Sequence, residues 1–526
     1  MNNPTSEQQE IIDYSENCVV SACPGSGKTF TIVEKIKKHS RYLRSYEGIV
    51  AISYTNKASE ELFLRLKGVY KKNYFIGTID SFCLKEIIYP FAKYILKNSV
   101  GDFKVNDTDC SYFFTANESN IYDYYLNSLS NGIIPLKYIS EIALYILKNV
   151  PECLDFLRAR YPVIFIDEYQ DCKETQHNMW MFLFEQGIKL VVVGDIDQSL
   201  YTFNGADPRL LKEIIDNDDF KSFELTINHR SHKSITNYAM RFKDSDYKAI
   251  LPEEYRVVKV NINGNEEDIV NSIERKLSYL MEKYTIENYS DIAFFCRDNS
   301  GVNRICDILS IPNKNYSLKA FKYTNEFNRF CSKLLINFFR YKKQDITITE
   351  CIEELIQVDT DKNIKRQIKT KINEVFLVDS TQIKNHMNSI IYLYSVLYSI
   401  DVSTEDKEEL YDILRNMNLL NTFKDVENNE VQVMTYHKSK GLEFDLVFLL
   451  DCYKYIIPRE HGIKYNSFED DKRLHYVGLT RAKKAVYIPV GTSRFRNRQK
   501  DHIDALESVF LSMNNLALLR SYERWS

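Results

Sequence analysis

Short apolar runs alternate along the chain with longer amphipathic stretches. The runs 18-CVVSA-22, 49-IVAIS-53, 163-VIFI-166 and 189-KLVVVG-194 are rich in β-branched residues and are bounded by turn-forming or charged residues. This is the pattern of strands that are buried on both faces of a sheet. Between them, apolar positions recur at helical spacing, as in 29-TFTIVEKIKKHSRYL-43. The alternation predicts an α/β fold built on a parallel sheet.

A second set of strand-like runs follows later in the chain and predicts a second α/β domain. The segments 85–160 and 325–424 lack such runs and show helical spacing, so we interpret them as helical insertions. The later runs are 291-DIAFFC-296, 431-VQVMTY-436, 445-DLVFLL-450 and 485-AVYIPV-490.

Composition narrows the class of protein. The 526 residues are 44% hydrophobic, and 69 basic residues stand against 73 acidic ones, a formal net charge of -4. A disordered chain would be less hydrophobic and more highly charged. A nucleic-acid site, if present, must be a local groove. The 11 cysteines include no C-x-x-C pair, which favours reduced thiols over disulfides or a structural metal. With no signal peptide and no membrane-length apolar run, we expect a cytoplasmic protein.

The most specific motif is 22-ACPGSGKT-29, which follows a predicted strand and precedes a predicted helix, as a P-loop does. Two glycines let the chain curl so that backbone N–H groups face a phosphate at the positive end of the helix. The lysine can reach the β- and γ-phosphates, and the threonine hydroxyl can bind Mg²⁺. We therefore predict that the ATP phosphates contact Ala22, Cys23, Pro24, Gly25, Ser26, Gly27, Lys28 and Thr29.

The motif 163-VIFIDEYQD-171 ends an apolar strand in two carboxylates. We predict that Asp167 holds Mg²⁺, directly or through water, and that Glu168 orients and deprotonates the attacking water. An apolar strand that ends in Asp-Glu is common and alone does not indicate a nucleotide site. Its presence together with the P-loop favours the functional interpretation.

The segment 189-KLVVVGDIDQSLYTFNGAD-207 follows the same strand-to-loop pattern. Gln198 lies on the loop, where its amide could contact the γ-phosphate. Phe203 follows five residues later and is a candidate for stacking on a base. The alternative is a core position, which is the more usual fate of a single phenylalanine.

In their order along the chain, these motifs resemble the superfamily 1A helicases of the UvrD/Rep/PcrA type. The resemblance covers almost the whole chain, because further segments also match in family order. They are 5-TSEQQEII-12, 51-AISYTNKASEEL-62, 76-IGTIDSF-82, 226-TINHRS-231, 288-NYSDIAFFCR-297, 434-MTYHKSKGLEF-444 and 469-EDDKRLHYVGLTRAKK-484.

The resemblance implies a domain organisation of two RecA-like parallel-sheet motor domains with helical insertions. Domain 1A would comprise residues 1–84 and 162–224, and domain 2A residues 225–324 and 425–526. Insertion 1B would cover 85–161, and a reduced insertion 2B would cover 325–424.

The resemblance also implies roles for single residues, with ATP and Mg²⁺ as the cofactors. Gln8 would read the adenine, His229 would pack on it and Glu443 would hold the ribose. Two arginine fingers, Arg230 and Arg481, would complete a catalytic set with Lys28, Asp167, Glu168 and Gln198. The single-stranded DNA contacts would be Tyr54, Thr55, Asn56, Thr78, Phe203 and His437.

Some positions depart from the family pattern. Phe203 and Asn204 replace the usual Trp-Arg, which weakens the expected link between DNA and the ATP site. His229 replaces a tyrosine, and Asp80 replaces a histidine that is expected to contact DNA or another domain.

One smaller branch shares these departures. The stretch 75-FIGTIDSFCLKEIIYPFAKYI-95 is similar to the helicase subunit of Gabija anti-phage systems. That similarity implies a partner, an OLD-like ATPase–TOPRIM endonuclease, in a defence complex.

The leading hypothesis is an ATP-dependent 3′–5′ single-stranded DNA translocase or helicase of the UvrD type in such a complex. The alternatives are a stand-alone DNA repair helicase and a nucleotide-gated DNA-binding scaffold with little unwinding. The basic run 481–500 has seven basic residues and no acidic one before Asp501. It is either a set of phosphate contacts or a solvated rim.

Overall fold

The computed structural model describes residues 3–71, 73–96, 103–106, 118–322, 325–355, 362–398, 400–459, 467–496 and 499–526. They form two compact units, a first unit of residues 1–272 and 439–526 and a second unit of residues 273–438. Within the described ranges, no helix is long and apolar enough to cross a membrane. The described cysteines are free thiols, and most of them are buried.

Most strands of the described residues have three to six residues, and β14 has ten. In chain order they are β1 (Cys18–Ala22), β2 (Val50–Ser53), β3 (Phe75–Thr78), β4 (Lys104–Asn106), β5 (Ile133–Pro135), β6 (Val163–Ile166), β7 (Lys189–Gly194), β8 (Lys221–Leu225), β9 (Val257–Ile262), β10 (Ile292–Cys296), β11 (Asn313–Asn315), β12 (Val431–Thr435), β13 (Phe444–Leu449), β14 (Ala482–Gly491), β15 (Ser493–Arg496), β16 (Asp501–Asp504) and β17 (Ser521–Trp525).

The helices alternate with these strands or cluster between them. They are α1 (Ser6–Asp13), α2 (Lys28–His39), α3 (Asn56–Leu66), α4 (Ile79–Phe82), α5 (Tyr89–Ile95), α6 (Glu118–Ser130), α7 (Ile139–Asn149), α8 (Pro151–Arg160), α9 (Glu174–Glu185), α10 (Arg209–Ile215), α11 (Lys233–Lys243), α12 (Glu266–Lys283), α13 (Asn299–Ile308), α14 (Glu326–Lys342), α15 (Ile348–Leu355), α16 (Lys362–Phe376), α17 (Met387–Tyr398), α18 (Thr404–Arg415), α19 (Met417–Leu420) and α20 (Ser467–Leu479).

A six-stranded parallel sheet in the first unit carries the P-loop. Its order is β3-β2-β6-β7-β1-β8. The central strands β6 and β7 are buried almost throughout, which explains their continuous apolar runs. Since all strands are parallel, the residues that follow β1, β6 and β7 meet at one edge of this sheet.

The second set of parallel strands is also present. In the first unit β13, β14, β9 and β17 pair in that order, and in the second unit β11, β12 and β10 do so. The predicted α/β class with two RecA-like parallel-sheet domains is therefore confirmed.

The predicted insertions are mainly helical. The first contains α5 to α8, together with a short parallel pair, β4 and β5, that the sequence did not predict. The second contains α14 to α19, which enclose an apolar core of their own. The domain limits inferred from the resemblance stay a prediction.

Candidate active site

The P-loop curls tightly between β1 and α2. Gly25 and Gly27 have φ values of 72° and 83°, in the left-handed region that glycine adopts without strain. A Cβ atom on Gly25 would lie 2.6 Å from the Cβ of Arg230, and one on Gly27 would lie 2.7 Å from Nε2 of Gln8. Both glycines are therefore required by backbone conformation and by space.

The side chain of Gln8 is hydrogen-bonded to the backbone of the P-loop. It lies in the first turn of α1, where Thr5 and Gln8 form a reciprocal capping box. Its Nε2 donates a hydrogen bond to the carbonyl oxygen of Ser26 at 3.0 Å, and its Oε1 accepts one from the N–H of Thr5 at 3.0 Å. The predicted adenine-reading glutamine is thus anchored to the phosphate loop itself.

The predicted carboxylate pair lies directly after β6. Glu168 has a left-handed φ of 56°, and its N–H donates to Oδ1 of Asp167 at 2.9 Å. Such a strained non-glycine residue is typical of functional sites. Nζ of Lys28 lies 3.7 Å from Oε1 of Glu168, so the predicted phosphate-binding lysine and the predicted base share one site.

Burial and neighbouring charges set the ionisation of these groups. Burial and the Glu168 carboxylate raise the pKa of Asp167. Burial also opposes ionisation of Glu168, but Lys28, Lys440 and a hydrogen bond from Gln170 outweigh it and lower its pKa. Burial lowers the pKa of Lys28, yet the surrounding carboxylates raise it overall. The site therefore presents a cation and an ionised Glu168 side by side.

A buried hydrogen-bond network connects the two carboxylate motifs. The side-chain amide of Gln170 donates to Glu168 and accepts from the N–H of Asp195. Gln198 in turn donates to the Asp195 carboxylate, and its Oε1 accepts a hydrogen bond from Nη2 of Arg481 at 3.0 Å. The predicted γ-phosphate sensor thus contacts a predicted arginine finger directly.

The two predicted arginine fingers lie close together. Arg481 is only 2% exposed, and burial and the nearby Arg230 lower its pKa to about 9, so it is charged at neutral pH. Nη1 of Arg230 donates to the carbonyl oxygen of Thr480 at 3.2 Å, and Nη2 pairs with Glu443 at 2.5 Å. The N–H of His229 donates to the Gly25 carbonyl at 2.8 Å. Glu443, the predicted ribose ligand, thus forms an ion pair with Arg230, one of the predicted arginine fingers.

Most of the predicted ATP-site residues line one cavity of about 420 Å³ in the first unit. Nζ of Lys28 is buried and has no hydrogen-bond partner among the described residues, an arrangement that suits an anionic ligand. Thr29 and Asp167 line the same cavity and supply the oxygen atoms that Mg²⁺ prefers. The residues therefore fit a magnesium–nucleotide complex. Of the predicted ATP-site residues, those lining the cavity are Pro24, Gly25, Gly27, Lys28, Thr29, Asp167, Glu168, Gln198, His229, Arg230, Glu443 and Arg481.

The predicted DNA contacts are spread more widely. Phe203 is 50% exposed, and its ring centroid lies 6.1 Å from that of Tyr201, which disfavours the core interpretation. Tyr54 packs partly on the core and lines the ATP cavity. Thr55 and Thr78 cap α3 and α4, and His437 lies in a 3₁₀ turn of the second unit. Asn56 begins α3, and its side chain lies outside the described part.

Lys440 is a site residue that the sequence analysis did not single out. Its Nζ lies 2.5 Å from Oδ2 of Asp171 and 3.9 Å from Oε2 of Glu168, and it stands 5.1 Å from the ring centroid of Tyr201. The sequence could have indicated this residue, because Lys440 belongs to the segment 434–444, which matches the helicase family pattern. Phe30, next to the P-loop threonine, also lines the cavity.

The basic run 481–500 is mostly accounted for by structure. Its first half, after Arg481, is the mostly buried strand β14, and Lys483 and Lys484 pair with Asp445 at 2.8 and 2.7 Å. Arg496 pairs with Asp501, while residues 497–498 lie outside the described residues. The paired charges favour the solvated-rim interpretation.

Comparison with known families agrees with this geometry. The UvrD/REP helicase N-terminal domain model matches residues 4–109 and 106–221, and the UvrD-like helicase C-terminal domain model matches residues 313–492. The chain therefore belongs to the UvrD-like helicases.

Curated relatives extend over nearly the whole chain. Gabija protein GajB of Bacillus cereus is 28% identical over 95% of this chain and 97% of its own length. ATP-dependent DNA helicase Rep of Buchnera aphidicola is 25% identical over 94% of this chain and 95% of its own. ATP-dependent DNA helicase PcrA of Staphylococcus epidermidis is 23% identical over 94% and 84%, respectively.

Proposed function

We propose that this chain hydrolyses ATP to move 3′–5′ along single-stranded DNA. The observation that carries the proposal is the convergence of Lys28, Glu168, Arg230 and Arg481 on one cavity. In phosphoryl transfer the protein mainly positions groups and stabilises charge, and these side chains are of the types required.

The four residues have distinct tasks in hydrolysis. Lys28 and the P-loop N–H groups bind the phosphates of ATP, and the Glu168 carboxylate accepts the proton of the attacking water. Arg481 and Arg230 stabilise the charge that develops on the transferred phosphoryl group, and Arg230 exchanges its partner Glu443 for that group. Thr29 and Asp167 would hold Mg²⁺, which neutralises phosphate charge when bound.

Gln198 links hydrolysis to DNA. Its side chain contacts Arg481, and the loop that follows it carries the exposed Phe203. Stacking on aromatic side chains tolerates any base sequence, as a motor that moves along DNA requires. Loss of the γ-phosphate would shift the Gln198 side chain. Because Phe203 lies five residues further along the same loop, this shift would be passed to the bound DNA strand.

Displacement of streptavidin tests movement and polarity together. Oligo-dT carrying biotin at either the 3′ or the 5′ end is mixed with the protein and ATP, with Lys28→Ala as the control. A 3′–5′ motor displaces streptavidin from the 5′ end much faster than from the 3′ end. The opposite preference would contradict the polarity, and equal ATP-independent release would contradict translocation.

We further propose a role in Gabija-type anti-phage defence, because the relative GajB aligns over almost the full length of both chains. The partner would be an OLD-like ATPase–TOPRIM endonuclease in a symmetric, higher-order complex. Co-expression with the neighbouring nuclease gene, size-exclusion chromatography and a plaque assay test this role. We expect co-elution, and a Lys28→Ala variant that assembles but does not protect. Monomeric elution beside the nuclease, or full protection by Lys28→Ala, would instead favour a stand-alone repair helicase.

A further inference from the structure

A second cavity, of about 310 Å³, lies in the first unit at the amino-terminal ends of the strands. Val163, the first residue of β6, and Lys189, the first residue of β7, line it together with His39, the last residue of α2. The same three elements carry the ATP site at their other ends. Since α2 has 12 residues, about 18 Å separates its two ends. An occupant here would leave the ATP cavity open.

Apolar atoms make up most of the accessible lining of this second cavity, and the imidazole of His39 lies among the lining side chains. Ile12, Leu43 and Pro162 supply aliphatic surface, and Tyr14 and Tyr42 supply rings. The imidazole of His39 makes no side-chain hydrogen bond within the described residues, and its ring lies edge-on to Phe165 at 5.7 Å. Burial and nearby lysines lower the pKa of His39 to about 4, so the ring is neutral and offers one nitrogen as an acceptor.

The rim of the second cavity is polar and balanced in charge. Asp13 pairs with Lys38 at 2.7 Å, Glu16 with Lys189 at 2.7 Å, and Glu47 with Arg44 at 3.8 Å. Because each carboxylate already has a cation, the rim lacks the positive excess that a phosphate backbone requires. An apolar centre with a polar rim is instead the anatomy of a protein–protein interface.

The surface beside the second cavity carries the residue types that dominate such interfaces. Tyr42 is 78% exposed at the cavity, and Tyr46, which is 54% exposed, accepts a hydrogen bond from Arg44 at 2.7 Å. Tyrosine and arginine are enriched among the residues that contribute most to protein binding. They also lose little side-chain freedom on binding when they are already held in place, as Tyr46 is.

We propose that this second cavity is an anchor pocket for a partner protein and takes a tryptophan or tyrosine side chain. The ring fills the apolar space, and its N–H or O–H donates to the free nitrogen of His39. Phenylalanine has no such donor and fits less well. A partner bound here stays attached while ATP is bound, hydrolysed and released.

Ligand-observed saturation-transfer NMR on the full-length chain tests the pocket, with N-acetyl-tryptophanamide as the probe. We expect saturable binding in the millimolar range, and weaker binding of N-acetyl-phenylalaninamide. Leu43→Trp fills the cavity and should lower the affinity for the probe at least about tenfold. The matched control Leu64→Trp changes an exposed residue of α3 and should leave binding unchanged. Both variants should keep the ATPase activity of the wild type, which shows that they fold.

Peptide selection then tests for a protein partner. Peptides displayed on phage are selected on the wild type and depleted on Leu43→Trp, and we expect enrichment of tryptophan- or tyrosine-containing sequences. No saturable probe signal, or equal binding to Leu43→Trp, would overturn the proposal. Loss of oligo-dT binding in Leu43→Trp would point to nucleic acid instead, and loss of a concentration-dependent dimer would point to a second copy. None of these readouts depends on ATP hydrolysis, so their failure is distinct from failure of the proposed function.

Discussion

Lys28 and Glu168 lie 3.7 Å apart, yet their proposed tasks can be separated. Lys28 contributes charge to nucleotide binding, whereas Glu168 contributes a proton acceptor to the chemical step. Substitutions at the two positions should therefore fail at different stages of the ATPase cycle.

We expect Lys28→Ala to lose ATP binding, and Glu168→Gln to bind ATP but hydrolyse it at least about 100-fold more slowly. Glutamine keeps the shape of the side chain but cannot accept the proton. Equilibrium binding of a fluorescent ATP analogue and single-turnover hydrolysis give the two quantities. Near wild-type turnover in Glu168→Gln would show that another group is the base.

Phe203 tests the predicted strand path. Since its ring is half exposed next to Tyr201, Phe203→Ala should cost about 1–3 kcal/mol of single-strand affinity, the value of one stacked base. Basal ATPase activity should change little. Fluorescence anisotropy with oligo-dT measures the affinity, and Phe468→Ala, at another half-exposed position, is the control. A lower melting temperature with unchanged DNA affinity would assign Phe203 a packing role.

At the scale of elements, a buried lysine joins α1 to the P-loop helix. Lys35 of α2 is 1% exposed. Its ammonium group donates to the carbonyl oxygen of Ile11 at 2.7 Å and to that of Tyr14, at the carboxyl end of α1. The other end of α1 carries Gln8, so we expect Lys35 to help position the predicted adenine-reading residue against the P-loop.

Lys35→Met should destabilise the protein by about 1–3 kcal/mol, because buried carbonyl groups lose their partner. We also expect KM for ATP to rise more than kcat falls, since Gln8 is less well positioned. Lys37→Met is the matched control on the same helix, because the Lys37 ammonium group pairs with Glu34 at the surface, and such a pair contributes little to stability. Equal effects of the two variants on KM would show that Lys35 does not position Gln8.

Continuous apolar runs predicted the central strands well, and β1, β6 and β7 have the predicted limits. Strands whose exposure alternates, such as β8 and β17, show no continuous run and were not predicted. The helix predicted over 29–43 ends at His39, and Lys37 and Lys38 lie in its last turn, where positive charge is favourable at a helix carboxyl end.

The P-loop and the acidic motif could be predicted because their residues are adjacent in sequence. The pair of Arg230 with Glu443 and the contacts of Lys440 with Asp171 join residues more than 200 positions apart. Spacing along the chain does not predict such contacts, because the residues come together only when the strands take their places in the folded sheets.

At the scale of the whole molecule, the net charge of -4 constrains how DNA is bound. We expect a chain without a basic excess to hold single strands largely by stacking on aromatic side chains. Each phosphate contact would add about -0.7 to the slope of log K against log salt. We expect a shallow slope for oligo-dT, of magnitude below about 3. A titration from low to moderate salt measures it, and a slope near -10 would mean that phosphate contacts dominate.

The central claim is that single-stranded DNA and ATP act on one coupled machine. Steady-state ATP hydrolysis, measured with and without oligo-dT for the wild type and Lys28→Ala, tests this claim most directly. We predict that oligo-dT stimulates turnover of the wild type and that Lys28→Ala is inactive under both conditions. A wild-type hydrolysis rate that is unchanged by oligo-dT, or hydrolysis that persists in Lys28→Ala, would contradict a DNA-coupled motor built on this site.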